Sequence, residues 1–597
     1  MARYLITSAD ERSWKFDRPV LFLGEWCRLY DRKHIWSEMD AVVAKPYGLE
    51  PGKKAQDIAY VLKIAEQILQ ELTEALNTFH QTRHDKRYWN IVLGHWLHRY
   101  VSVAFNRFHT LDQAIKNHAV TGTTIFEAKD YSLATTDTLS FNRACNDDQW
   151  NHVFYSRLIA YRGDVVSNSA VTPLLGVKGF KDEAKHPTGQ RTWYQQLVGL
   201  AVHKVAPKLS RNTDAFIITS ALPIKEEIKL QLALWQVPQL WRGPSFERFS
   251  PESGARANLM LDFGPYEGFE RYIRWQLPEI IPTCYLEGYK SLLKTLERLL
   301  WPKKPKFIYT SNNFATDEIF KAWVGEKVEQ GIPYFVGQHG NNYGTDLYKG
   351  NSNWPERSSA DNFFTWGWTN GDSRNIPAFV FTTAGRNPQK EAPEAGGLLL
   401  VEACTVNRVY AWDNYFEFGV YQEDQFRFVA ALPQAIQKKL MVRLYHGYRN
   451  LPWFDDQRWK DRSPHTRIDS GQVNIREATE QSRLVVHSYD STGILETLSL
   501  NIPTMCFWQG GLTHLLTEAK PYYELLRNAG ILADSPEHAA ELVALYWENV
   551  SEWWQSKKVQ EARKAFCMQY ARTEKHPVST MKCLLTKACK DVLEKTR

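Results

Sequence analysis

No Asp-x-Asp triplet occurs anywhere in the 597 residues, so the chain lacks a common carboxylate clamp for a metal–diphosphate complex. The adjacent pairs Asp147-Asp148 and Asp455-Asp456 do not replace it, because neighbouring side chains on a strand or helix point apart. The 8 cysteines (Cys27, Cys145, Cys284, Cys404, Cys506, Cys567, Cys583 and Cys589) include no CxxC pair and lie mostly in apolar surroundings. Reduced core thiols are expected, rather than disulfides or a zinc site. Neither HExxH nor a close His/carboxylate cluster appears, so no metal centre is expected. No stretch approaches 18 consecutive apolar residues, and the opening MARYLITSADERSWKFD lacks an apolar signal core; a cytoplasmic protein without a membrane span is expected. Nor is there a basic run. The net charge of +6 is spread along the chain, too thin for nucleic acid but compatible with small anions and an anionic inner leaflet.

What is present is the composition of a soluble globular protein, 43% hydrophobic and 23% charged, at a length that calls for about three or four domain-sized units. Cores of that size absorb most of the 22 Trp, 28 Tyr and 29 Phe, leaving a minority for stacking on sugars or bases. The clearest pattern lies in residues 307–344. Phe307-Ile308-Tyr309-Thr310 follows the breakers Pro302 and Pro305, and residues 319–328 carry apolar side chains at helical spacing up to Gly331. Residues 332–336 form a second buried-strand run, ending in Gln338-His339-Gly340-Asn341-Asn342-Tyr343-Gly344. Strand, helix, strand and polar loop make one right-handed βαβ unit. Ligands of open parallel sheets bind beyond the carboxyl ends of the strands, so residues 311–318 and 338–344 are the candidate active-site loops.

Upstream, residues 3–7 and 19–24 read as strands; the second closes on Gly24-Glu25, which makes Glu25 either a cleft carboxylate or a capping, salt-bridged one. Residues 55–79 and 88–105 read as amphipathic helices, the second with His95, His98 and Arg99 interleaved with Trp89 and Trp96. That stripe suits a sugar-acceptor wall or, more commonly, a core face with solvated charge behind it. Residues about 120–300 read as a helical insertion, with helices at 150–162, 193–205 and 224–235, a strand at 215–219, and basic and aromatic content suited to a membrane-bound acceptor. Residues 385–397 are the linker: polar, with two prolines and three glycines. Beyond it, strands at 398–401, 439–445, 484–486 and 502–508 alternate with helices, and the tail from 521 is mostly helical. The expected architecture is α/β and GT-B-like, two Rossmann-like domains facing a cleft. Residues 1–384 would be the acceptor side with its insertion, and 398–597 the nucleotide-sugar side.

Ser491-Thr492-Gly493-Ile494-Leu495-Glu496 lies where a strand turns into a helix, so hydroxyls, N–H groups and helix dipole converge as a phosphate requires. Glu496 sits a turn further on, within reach of a ribose; the plainer alternative is an N-cap. Arg443 and His446 close another strand, with Arg408, Arg449 and His487 as lesser members of the same basic pocket. In the 338–344 loop, Gln338, Gly340, Asn341 and Tyr343 accompany His339, which can donate to a carboxylate or phosphate. Asp317 and Glu318 supply carboxylates at that mouth, as base or nucleophile, or as helix-start carboxylates.

These motifs together, the 337–344 loop, Arg443-x-x-His446, and Ser491 to Glu496 followed by Pro503-Thr504, resemble a bacterial family of surface-polysaccharide transferases from O-antigen and capsule loci. That family looks related to retaining pseudaminyltransferases and capsule Kdo transferases. The resemblance implies a CMP-activated nonulosonic acid as co-substrate with no other cofactor, Arg443, His446, Ser491 and Thr492 on the CMP side, and His339 near the sugar. It implies an oligosaccharide or lipid-linked glycan acceptor, contact with the inner membrane, and retention of configuration. Arg443 stands where such enzymes commonly have Lys, and Gly447 where they commonly have Pro. A UDP- or GDP-sugar transferase, or a non-catalytic glycan-binding protein, remains open on the residues alone.

Overall fold

The computed structural model describes residues 2–50, 52–126, 131–170, 209–259, 261, 264–347, 350, 353–403, 418–450 and 453–595. Among them stand three sheets, every paired strand parallel. The first is ordered β3-β2-β1-β4-β5, from β1 (Arg3–Ile6), β2 (Val20–Phe22), β3 (Ala41–Val43), β4 (Val120–Phe126) and β5 (Ser167–Ala170). The second, β10-β9-β8-β7-β6, comprises β6 (Phe216–Ile218), β7 (Ile308–Thr310), β8 (Tyr334–Gly337), β9 (Asn362–Thr365) and β10 (Asn375–Pro377). The third runs β13-β12-β11-β14-β15-β16, from β11 (Leu398–Val401), β12 (Leu440–Arg443), β13 (Arg467–Asp469), β14 (Leu484–His487), β15 (Thr504–Phe507) and β16 (Leu532–Ala533).

Three of the four interior strands of the third sheet, Leu-Leu-Leu-Val, Leu-Val-Val-His and Thr-Met-Cys-Phe, are buried at every position, as a parallel sheet covered on both faces requires. Its order has a switch point between β11 and β14, where chain connections leave in opposite directions and a crevice opens beyond the strand ends. The second sheet runs monotonically and has none.

Residues 120–300 are helical in the main, and they also supply β4 and β5 as well as β6, the last within the strand expected at 215–219. β4 reads Val-Thr-Gly-Thr-Thr-Ile-Phe, and its threonines hide a central strand because their hydroxyls are paired. Thr123 Oγ1 donates to Leu5 O at 2.9 Å, and Thr124 Oγ1 bonds Tyr4 Oη at 2.9 Å. The helical pattern at 193–205 and Arg408 lie outside the described residues.

The helix Lys86–Asn117, capped by Asp85 accepting from Tyr88 N at 2.7 Å, packs on Lys53–His80 and also on Glu318–Glu329, tying the first sheet to the second. Trp89 and Trp96 are fully buried, so the aromatic stripe is core, while His95 and Arg99 are half-buried beside it. The last helix, Pro577–Lys595, returns from the third sheet to pack on Ile224–Ala233 beside the second. Arg572, just before it, donates its N–H to Trp366 O at 2.9 Å and accepts from Val380 N at 2.8 Å. The second and third sheets therefore face one another with their carboxyl ends and share a chain that crosses twice, a GT-B-like fold with an additional parallel sheet at the N-terminus. Among the described residues no helix is long and apolar enough to cross a membrane.

Candidate active site

The two sheets meet where their strand-end loops touch. Asn341 N donates to Thr492 Oγ1 at 3.0 Å, and Asn341 Nδ2 to Asp490 Oδ1 at 2.7 Å. Gly340 is open to Thr492 for a steric reason: a Cβ there would stand 2.9 Å from the Thr492 hydroxyl. The seam continues as a short antiparallel pairing, with Leu347 N donating to His514 O at 3.0 Å and Leu516 N to Thr345 O at 2.7 Å. Asp490 is its fully buried centre. Besides Asn341 it holds His514 Nε2 at 3.1 Å and Tyr523 Oη at 3.2 Å.

The 338–344 loop is held from beneath. Gln338 Oε1 accepts from Trp366 N at 2.9 Å and Trp368 Nε1 at 2.8 Å, while its Nε2 donates to Gly340 O at 2.8 Å, so Gln338 braces the loop. Gly344 adopts φ +87, and a Cβ on it would enter the Trp368 ring at 2.5 Å. His339 is half-buried, packed by Phe314 (ring centroids 5.7 Å) and Tyr343 (5.4 Å). Tyr343 is buried, its hydroxyl between His339 Nδ1 at 3.3 Å and Glu356 Oε1 at 2.8 Å. The helix Lys86–Asn117 brings in His95, stacked on Phe314 at 5.0 Å; burial, with Lys321 second, holds its imidazole well below the usual range.

The carboxylates named from sequence are engaged. Asp317 is the N-cap of Glu318–Glu329: one oxygen accepts from Phe320 N at 3.0 Å, the other from Asn313 Nδ2 at 2.7 Å, and burial raises its pKa. Glu318 is buried against Lys321 Nζ at 2.8 Å, Tyr285 Oη at 2.7 Å and Thr138 N at 3.0 Å. Glu25 takes both oxygens to Arg28, at 2.6 and 2.7 Å. Its segment meets the third sheet's helix Asp455–Arg462 nearby, where Tyr30 Oη donates to Asp461 Oδ2 at 2.6 Å and Arg458 lies 4.2 Å over the Tyr30 ring.

On the third-sheet side of the seam, Ser491 is the N-cap of Thr492–Ser499 without a side-chain cap bond, its hydroxyl 3.3 Å from His487 Nδ1. Gly493 abuts the same imidazole, with room for no Cβ: one would lie 2.6 Å from His487 Cε1. Burial pushes His487 down to about 3, so it stays neutral. Glu496 is half-buried one turn into the helix. Arg443 is committed elsewhere: it pairs with Asp469 on edge strand β13 and donates to Val473 O at 2.6 Å, while β11 lies between β12 and β14. His446 and Arg449 are exposed at the same strand end.

Sequence reading missed what the switch point exposes. Glu402, the residue after β11, is buried and accepts from Trp459 Nε1 at 3.0 Å; burial first, then Asp455, raises its pKa well above normal. Beside it Tyr421 Oη accepts from Ala403 N at 2.7 Å and meets Ser488 Oγ at 2.9 Å. The available signal was a carboxylate directly after a four-residue apolar run. Asp455 itself is pushed up to about 6, mainly by burial and against the pull of Arg458. Its folded pKa exceeds the unfolded one, so its contribution is fully present below pH ~4 and is lost as pH rises through about 6. Asp455→Asn is expected to gain about 3 kcal/mol over the parent at pH 7.5 and nothing at pH 4. Thermal midpoints of both proteins at both pH values check it, and an equal difference at the two would refute the buried-acid account.

No curated protein matches the chain. Solved structures align loosely: Acinetobacter baumannii MurG at 12% identity, covering 50% of this chain and 78% of that one, TM-score 0.29. A mutant Thermobaculum terrenum O-GlcNAc transferase aligns at 9% identity over 92% and 100%, TM-score 0.37. The glycosyltransferase SnogD from Streptomyces nogalater aligns at 12% over 63% and 99%, TM-score 0.34. A family model, by contrast, matches residues 3–585, through all three sheets and both loops of the seam, and by it the chain belongs to the LIC12162 family of transferases.

Proposed function

We propose that the protein is a glycosyltransferase that moves a nonulosonic acid, such as pseudaminic acid, from its CMP-activated form to a bacterial surface glycan. The observation that carries this reading is the seam itself. His339 stands on one side of it, and the Ser491-Thr492 helix start and the β11/β14 crevice stand on the other. A nucleotide in that crevice, with its phosphate toward the N–H groups of Thr492–Ser499, would present its sugar to His339. With Asp317, Glu318 and Glu25 engaged as described, His339 is the base in this proposal. The acceptor oxygen bonds to the anomeric carbon on the face from which the CMP phosphate departs, its proton passes to His339, and the bond to the CMP phosphate breaks with its electron pair leaving on CMP, so that configuration is retained. Metal independence, a cytoplasmic setting and peripheral contact with the inner membrane belong to the same proposal.

Mass spectrometry of products from purified protein in EDTA tests it, with CMP-pseudaminic acid, CMP-Kdo and CMP-sialic acid offered against simple acceptor glycosides. Transfer from one CMP-sugar supports the whole reading. Transfer only from UDP- or GDP-sugars would replace the donor, and a thermal shift with oligosaccharide alone would point to a binding protein. A ligand at 100 times its Kd should stabilise its site by about 2.7 kcal/mol.

A further inference from the structure

The phenol of Tyr343 has one proton and two neighbours. Glu356 Oε1 lies 2.8 Å away and His339 Nδ1 lies 3.3 Å away. Tyr343 and Glu356 are 3% and 2% exposed, so water does not compete for either contact. A carboxylate only accepts, so the phenol proton goes to Glu356, and the phenol oxygen is left to accept from the ring nitrogen. The other carboxylate oxygen of Glu356 lies 3.4 Å from His95 Nε2. Phe314 packs on both imidazoles and limits the turning of His339 about its side chain.

We propose that Tyr343 and Glu356 are positioning residues that select the tautomer of His339, keeping its proton on Nδ1 and the lone pair on Nε2. The proposal builds on the reading of His339 as the base, and it names the device that makes a neutral imidazole an acceptor at the nitrogen opposite Tyr343. An unconstrained histidine side chain favours the reverse tautomer, with the proton on Nε2. The pair therefore does chemical work that neither packing nor loop shape requires, since which ring nitrogen is protonated follows from the hydrogen bond the other one makes.

The test is independent of any donor sugar. In full-length protein with ¹⁵N-labelled histidine, two-bond proton–nitrogen correlation reads the tautomer directly, and His339→Gln identifies the signal. The expected parent spectrum has His339 protonated at Nδ1, with the large downfield nitrogen shift of a lone pair at Nε2. In Tyr343→Phe the protonated nitrogen should switch to Nε2. Glu356→Gln should switch it too, because an amide N–H can donate to the phenol oxygen and turn the phenol proton toward His339. A parent spectrum already protonated at Nε2 would overturn the proposal, as would a folded Tyr343→Phe and Glu356→Gln pair that both keep the parent tautomer. Failure of glycosyl transfer in the product assay leaves this spectrum, and hence the tautomer assignment, unaffected.

Discussion

His339→Gln is expected to lower kcat by about 10²–10⁴-fold, the range lost when a positioned proton acceptor is removed, with little change in KM for the donor. The fold should survive. His339 is half-buried, with ring packing on Phe314 and Tyr343 and a bond to the Tyr343 hydroxyl among its contacts, and the loop is braced separately by Gln338, which the substitution leaves in place. The rate of nucleotide release measures kcat, and the thermal midpoint checks folding. Activity within tenfold of the parent would remove His339 from the reaction and return attention to Glu496 and to the groups at the β11 strand end.

Lys321→Met should be the most destabilising of the single changes discussed. Lys321 is completely buried, and its ammonium touches Glu318 at 2.8 Å, Tyr285 at 2.9 Å and Thr138 at 3.0 Å. Removing it leaves the Glu318 carboxylate uncompensated in the interior, a loss of about 3–5 kcal/mol. The double change Glu318→Gln with Lys321→Met should recover most of that, because the amide still accepts from Thr138 N and no charge is left behind. Three sheets need not unfold as one, so resistance to proteolysis and the first thermal transition are the readouts. A single variant as stable as the parent would mean that Glu318 sheds its charge at little cost.

That network also shows where reading a sequence stops. Glu318 follows Asp317 in a polar loop at a strand mouth, which is where a reacting carboxylate belongs. Lys321 one turn along was visible as an i,i+3 partner, but Tyr285 and Thr138, which make the pair buried, lie far away in the chain. Arg443 misleads in the same way, because its partner Asp469 sits on a short, charged edge strand with no apolar signature. Strands β7, β8, β11, β12, β14 and β15 were legible because burial on both faces leaves continuous apolar runs. β3, β5, β10 and β13 were not, being short edges that water partly solvates. The two mouth loops could be read one at a time. That they touch, and that Asp490 beneath them gathers Asn341, His514 and Tyr523, depends on how two sheets dock.

The return of Pro577–Lys595 to the second sheet has a consequence for recombination between relatives. A chimera that exchanges everything after residues 385–397 would import a final helix shaped for a foreign partner, Ile224–Ala233 of the other parent. The half built on the third sheet is bounded by two crossovers, one at 385–397 and one near Arg572, where the backbone clasps Trp366 and Val380. That half can be transplanted as a cassette only when both of its ends are cut there.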